Sequence, residues 1–254
     1  MTVGFILDPA WLWPLVAAPA IGSFLGVLIL RLPDGRAVVF GRSACRSCGH
    51  GLTVRDLVPL VSWAASGGRC RHCGARLGWF YPGIESLALA IAVWAVLALP
   101  AGLIWVGCLL GWWLAALAVI DGRTLTLPDL LTLPLVPLGL AVTYLIAPGQ
   151  VVHHVLGAIA GFAALGGMGV LYRRLRGRAG LGGGDVKLAA AAGAWVGWIG
   201  LPGVILIAAL SGLAMAAFLA LLGHRRDPAA RIPFGPHLAF GLWVTWVHGP
   251  VVIP

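Results

Sequence analysis

Charge is what this 254-residue sequence has least of. Asp, Glu, Lys and Arg make up 10% of it, against about 25% in ordinary soluble domains. Only eight residues are acidic, and Glu85 is the single glutamate. So few charges exclude an ordinary soluble globular domain. The first residues, MTVGFILDPAWLWP, lack the basic stretch of a secretory signal, and no small-residue cleavage site stands out after the first apolar run. A removable signal peptide is therefore not expected. What the chain has is apolar sequence: 60% hydrophobic residues and a mean hydropathy of +0.98. It reads as an all-α polytopic membrane protein. The net charge of +9 and pI near 10.4 would suggest nucleic acid in a soluble domain. In a membrane protein basic residues first report orientation, so no nucleic-acid partner is expected.

About 20 apolar residues cross a bilayer, which predicts eight spans near 10–31, 80–99, 101–120, 127–147, 152–172, 186–201, 203–223 and 234–253. All 17 Lys and Arg fall in or beside the loops after spans one, three, five and seven: Arg31 to Arg76, Arg123, Arg173 to Lys187, and Arg225 to Arg231. The opposite turns, at Pro100, Pro148 to Gln150 and Gly200 to Gly203, have none. The positive-inside rule places the basic loops in the cytoplasm and both termini outside. Trp11, Trp13, Trp79 and Trp198 fall near expected interfaces, as in an aromatic belt.

One loop is far longer than the others. Residues 32–79 carry Cys45-Arg-Ser-Cys48 and, after 21 intervening residues, Cys70-Arg-His-Cys73. Paired CxxC knuckles supply four thiolates to a tetrahedral metal, and a cytoplasmic setting argues against disulfides. Zinc is the expected ion, with His50 or His72 as possible replacement ligands and two reduced or redox pairs as the alternative. A four-thiolate site has no open position, so the metal would order the loop rather than catalyse. Cys108, in mid-span, reads as a small buried hydrophobe. Glu85, one turn into the second span, is a functional group or an acid reaching to the membrane boundary.

The segment Leu181-Gly-Gly-Gly-Asp185-Val-Lys187 sets a carboxylate behind three glycines at an expected helix start. Asp121 ends an apolar run and Asp129 follows Pro128. All three acids fall at the expected cytoplasmic boundary. Two carboxylates brought close together hold one proton between them, which makes an acid and a base in one site. In an aspartic protease the ionised member activates water, and the protonated member polarises the scissile carbonyl and later protonates the amine. From spacing alone Asp121 also reads as a helix end at the headgroups and Asp129 as an acid in a first helical turn. A proton- or cation-coupled transporter using membrane acids is the competing reading, and a membrane-anchored zinc module with inert aspartates is a third.

Ordered motifs bring in a resemblance. IGSFLGVLILRLP (21–33), SWAASGGRCRHCGARLGWFYPGIE (62–85), IDGRTLTLPD (120–129), GLGGGDVKLAAAAGAWVGW (180–198) and IPFGPHLAFG (232–241) resemble those of the type IV prepilin peptidases, membrane aspartic proteases with a GxGD motif. The resemblance implies about eight transmembrane helices with a cytoplasmic zinc loop between the first two, in the bacterial inner membrane. Residues 1–31 would then be the first transmembrane segment, 32–79 the loop and 80–254 the peptidase bundle. It puts the catalytic pair on Asp121 and Asp185, not Asp129, and implies cleavage of the short basic leader of type IV prepilins or pseudopilins of a pilus or secretion system. Members with the cysteine loop often also methylate the new N-terminus with S-adenosylmethionine. This chain departs from the family pattern at Gly26 and Leu57, where Asn is common.

Overall fold

A lipid-facing backbone has no water to bond, so an apolar chain of this kind satisfies its N–H and C=O groups within helices. The computed structural model describes residues 11–38, 43–45, 47–178, 180–223 and 233–250. Arg42, Arg46, Arg225, Arg226 and Arg231 of the basic loops, residue 10 and residues 251–253 of the outermost expected spans lie outside the described residues. Among the described residues the regular structure is helical: α1 Leu12–Arg31, α2 Val61–Ala65, α3 Phe80–Ala98, α4 Ile104–Thr124, α5 Asp129–Ile146, α6 Val151–Arg176, α7 Gly183–Leu221 and α8 Gly235–His248. Among the described residues, backbone pairs strand-fashion at isolated bridges, Ala44–Gly51 and Arg69–Arg76.

Six of these segments are long and apolar enough to cross a membrane. Counting the two halves of α7 separately, and adding α8, the helical segments match the eight expected. The break in α7 is not where the sequence suggests. Gly200 to Gly203 is helical, with Pro202 inside, and the chain instead breaks at Gly197, whose φ of 69° and ψ of 176° are open to glycine alone. Large apolar side chains such as Leu97, Leu145, Ile159, Leu213 and Phe218 are exposed, as lipid contact requires. Trp13, Trp79 and Trp198 are exposed too.

The chain forms two compact units, Met1–Ala116 and Leu117–Pro254. In the first, α1 packs along α3, with Gly22 against the backbone of Ile84 and Glu85, and the Trp112 indole donates to the Ala88 carbonyl at 2.9 Å. Cys108 is fully buried.

In the second, α7 is the hub, packed against α5, α6 and α8. Small residues allow this. A Cβ added at Gly157 or Gly161 of α6 would collide with the backbone of α7 at Gly193 and Ala189, and one at Gly193 would collide with Gly157. Without a hydrophobic drive between helices in lipid, such close backbone packing is what holds them together. The buried Trp195 indole donates to the Leu135 carbonyl at 2.9 Å and ties α7 to α5.

Candidate active site

Three helix ends of the second unit build a buried acidic centre. Asp121 lies in the last turn of α4, after which the chain turns through Leu125 at φ 54° and reaches α5 by way of Leu127 and Pro128. Asp185 is the third residue of α7, which starts from Gly182. Gly235 opens α8. The turn after α4 and the start of α7 fit together because position 184 is glycine: a Cβ there would lie 2.7 Å from that of Leu127.

Both carboxyls are almost enclosed, at 5% exposure for Asp121 and 8% for Asp185, and they lie within electrostatic reach of one another. Each is held by a backbone donor. The Gly235 N–H donates to Asp121 Oδ2 at 3.0 Å, which directs the positive end of α8 at this carboxylate. The Gly182 N–H donates to Asp185 Oδ2 at 3.3 Å, half of a capping box, since glycine has no side chain to complete it. Asp185 Oδ1 is buried with no hydrogen-bond partner among the described residues. Leaving such an acceptor unmet costs about 1–3 kcal/mol, so this oxygen is open to a further donor.

Asp129 is not part of this centre. As the first residue of α5 it faces outward, its side chain 59% exposed, and pairs with Lys187 Nζ at 2.5 Å. The sequence reading separated Asp129 from the other two but missed its cation, and it missed Gly235 and Gly182 as donors. Gly235 was nevertheless visible in the IPFGPH stretch.

The cysteine tetrad is assembled in the first unit. The sulfurs of Cys45, Cys48, Cys70 and Cys73 all lie within 4.8 Å of one another, and Cys45 and Cys73 are 3.9 Å apart. Tetrahedral Zn–S bonds of about 2.3 Å place sulfurs ~3.8 Å apart, so the cluster can hold a metal of that size. Two matching turns form it. Cys45 N–H bonds His50 C=O and Gly49 N–H bonds Cys45 C=O, both at 2.9 Å, while Cys70 N–H bonds Ala75 C=O at 2.8 Å and Gly74 N–H bonds Cys70 C=O at 2.9 Å. The glycine after each CxxC has φ of 71°, a repeat of CxxCG that the spacing argument passed over. The Cys48 and Ser47 N–H groups aimed at Cys45 hold its thiol down to about 6, toward the thiolate a metal needs, whereas Cys73, despite the Ala75 N–H, is pushed up to about 11 by the neighbouring thiols. His50 and His72 stack on each other at 4.2 Å and are not part of the sulfur cluster.

Comparison with known proteins agrees with this geometry. Residues 16–99 match the bacterial peptidase A24 N-terminal domain, and residues 108–217 match the type IV leader peptidase family. A prepilin leader peptidase/N-methyltransferase of Aeromonas hydrophila is 38% identical over 258 residues, covering 90% of this chain and 87% of the relative. The chain belongs to the type IV leader peptidase family. Proteins of the same description from Burkholderia pseudomallei (strain K96243) and Pseudomonas aeruginosa are 38% and 34% identical, covering 92% and 90% of this chain and 84% and 87% of their own lengths. No solved structure matches. Within this leader peptidase, the tetrad and Glu85 fall in the N-terminal match, and both buried aspartates in the second. Gly235 lies beyond both.

Proposed function

We propose that this leader peptidase cleaves the short basic leader of type IV prepilins or pseudopilins with Asp121 and Asp185 as the catalytic pair, and methylates the new N-terminus. The observation that carries the reading is the pair of enclosed carboxyls, each fastened by one backbone N–H, with Asp185 Oδ1 left unpartnered. One carboxylate takes a proton from water as it attacks the scissile carbonyl. The partner, protonated, polarises that carbonyl and then protonates the departing amine. The Gly235 and Gly182 N–H groups keep the two side chains in place so that little reorganisation accompanies the reaction.

Cys45, Cys48, Cys70 and Cys73 would hold a structural zinc that orders the loop 32–79. The distribution of basic residues supports an inner-membrane protein with both termini outside and the aspartates at the cytoplasmic face. A basic prepilin leader stays on that face by the same rule. The methyl donor of the second activity would be S-adenosylmethionine. Co-expression with a prepilin and mass measurement of its N-terminus tests both activities together: loss of the leader reports cleavage, and a further ~14 Da reports methylation, the mass a methyl adds in place of a hydrogen. An unprocessed prepilin beside abundant enzyme would overturn the proposal.

A further inference from the structure

The first unit contains a cavity that the aspartate pair does not use. It measures about 540 Å³ and lies between the end of α1, the start of α3 and the cysteine loop, within the range of about 300–1,000 Å³ usual for small-molecule sites. A second cavity, beside Leu25, Ile84 and Ala116, is too small for a water molecule.

The wall of the larger one is not that of a packing defect. Glu85 lines it at 5% exposure, and a buried carboxylate in a membrane helix marks function by default. Its Oε2 accepts the Leu60 N–H at 2.8 Å, and Ser23 bonds it from α1. Leu60 is the centre of a γ-turn, φ 58°, closed by Val61 N–H to Pro59 C=O at 2.5 Å, a strained shape for a residue with a side chain. Glu85 thus fastens α1 and the approach to α2 onto α3. Beside it the rings of Phe80 and Tyr81 stand edge to face at 5.4 Å, and Trp63 adds a third ring to the lining. The Tyr81 ring rests on Gly26, where a Cβ would come within 2.8 Å of ring Cδ1. Glycine at 26 lets the ring lie back against α1. On the loop side, Asp56 accepts from the Thr53 hydroxyl and N–H and pairs with Arg71 at 3.5 Å, and Arg31, Arg36, Arg69, Arg71 and Arg76 make this part of the wall cationic.

We propose that this cavity binds the methyl donor, S-adenosylmethionine, with Glu85 and the Tyr81 ring facing its sulfonium. The proposal rests on the methyltransferase half of the proposed function. The parts of the donor find counterparts: a sulfonium cation for a carboxylate and an aromatic face, a purine for stacking, and an amino-acid carboxylate for the loop-side arginines. In the transfer, the lone pair of the unprotonated N-terminal amine takes the methyl carbon. The carbon–sulfur bonding pair stays on sulfur, leaving a neutral thioether, and the surplus proton on nitrogen passes to water.

Binding of S-adenosylmethionine to the metal-loaded, detergent-purified full chain, measured by titration calorimetry, tests this without recourse to activity. Glu85→Gln keeps an acceptor for the Leu60 N–H while removing the charge, and Tyr81→Leu removes the ring. Each is expected to weaken binding about tenfold or more, and Tyr81→Phe by no more than about twofold. S-adenosylhomocysteine, which lacks the positive sulfur, is expected to bind more weakly and to lose little on Glu85→Gln. A wild-type chain that binds no donor overturns the proposal together with the methyltransferase reading. Tight wild-type binding that both variants retain overturns the location alone. If a variant does not fold, photo-crosslinking of labelled donor to the wild type decides: label in residues 23–36 or 56–85 supports the site, and label confined to residues 117–250 overturns it.

Discussion

Gly235→Ala is the substitution that most sharply separates the geometry of the aspartate pair from the mere presence of its carboxyls. The variant keeps both aspartates and the backbone N–H that holds Asp121. Its added Cβ, however, would lie 2.7 Å from Asp121 Oδ2 and 3.0 Å from Cγ. Relieving the first contact to an ordinary ~3.4 Å separation moves the carboxylate by about 0.7 Å, and a misplacement near 1 Å costs roughly a hundredfold in rate. The expected loss in turnover is therefore about 30- to 100-fold, or ~2–2.7 kcal/mol of barrier. The fold should survive, because alanine favours a helix over glycine by up to about 1 kcal/mol. Gly183→Ala is the matched control: it adds the same methyl at the start of α7, where nothing lies within 4 Å. The assay is cleavage of a prepilin by purified enzyme at matched concentration. Normal turnover in Gly235→Ala, or an equal loss in Gly183→Ala, would refute the reasoning.

Metal analysis of the purified chain should find one zinc per molecule, lost when Cys45, Cys48, Cys70 and Cys73 are all changed to Ser; full zinc in that variant would contradict the assignment. Asp129→Asn removes an exposed ion pair with Lys187, a kind of contact worth about 0–1 kcal/mol, so cleavage should fall only a few-fold, and a thousandfold loss would place Asp129 in the chemistry. Reporter fusions near Gln150 and near Arg226 should fall on opposite faces of the membrane, and a shared face would overturn the topology.

Much of this architecture was legible because its signals are matters of residue type. Apolar runs of near-bilayer length became helices and four cysteines in two knuckles converged, whereas Asp121 and Asp185 were set apart from Asp129 by the family resemblance and not by residue type. What escaped the sequence was carried by backbone. The donors to the two buried carboxyls are the N–H groups of Gly235 and Gly182, and an N–H group is present at almost every position. The break in α7 fell at Gly197 because a glycine cluster at 197, 200 and 203 with Pro202 marks a weak region without saying which residue turns; only Gly197 takes the left-handed φ. Glu85 was recognised as anomalous, but its partner Leu60 lies 25 residues earlier in the loop, beyond any helical spacing rule.

The central claim is that Asp121 and Asp185 together perform the cleavage. Asp121→Asn and Asp185→Asn, each assayed against a prepilin at matched membrane levels, test it most directly. One remaining carboxyl can act as base or as acid but not both, so each variant should lose roughly a thousandfold or more in turnover, by analogy with knockouts of other catalytic groups that act as a unit, with expression unchanged. Near-normal cleavage by either variant would contradict the account.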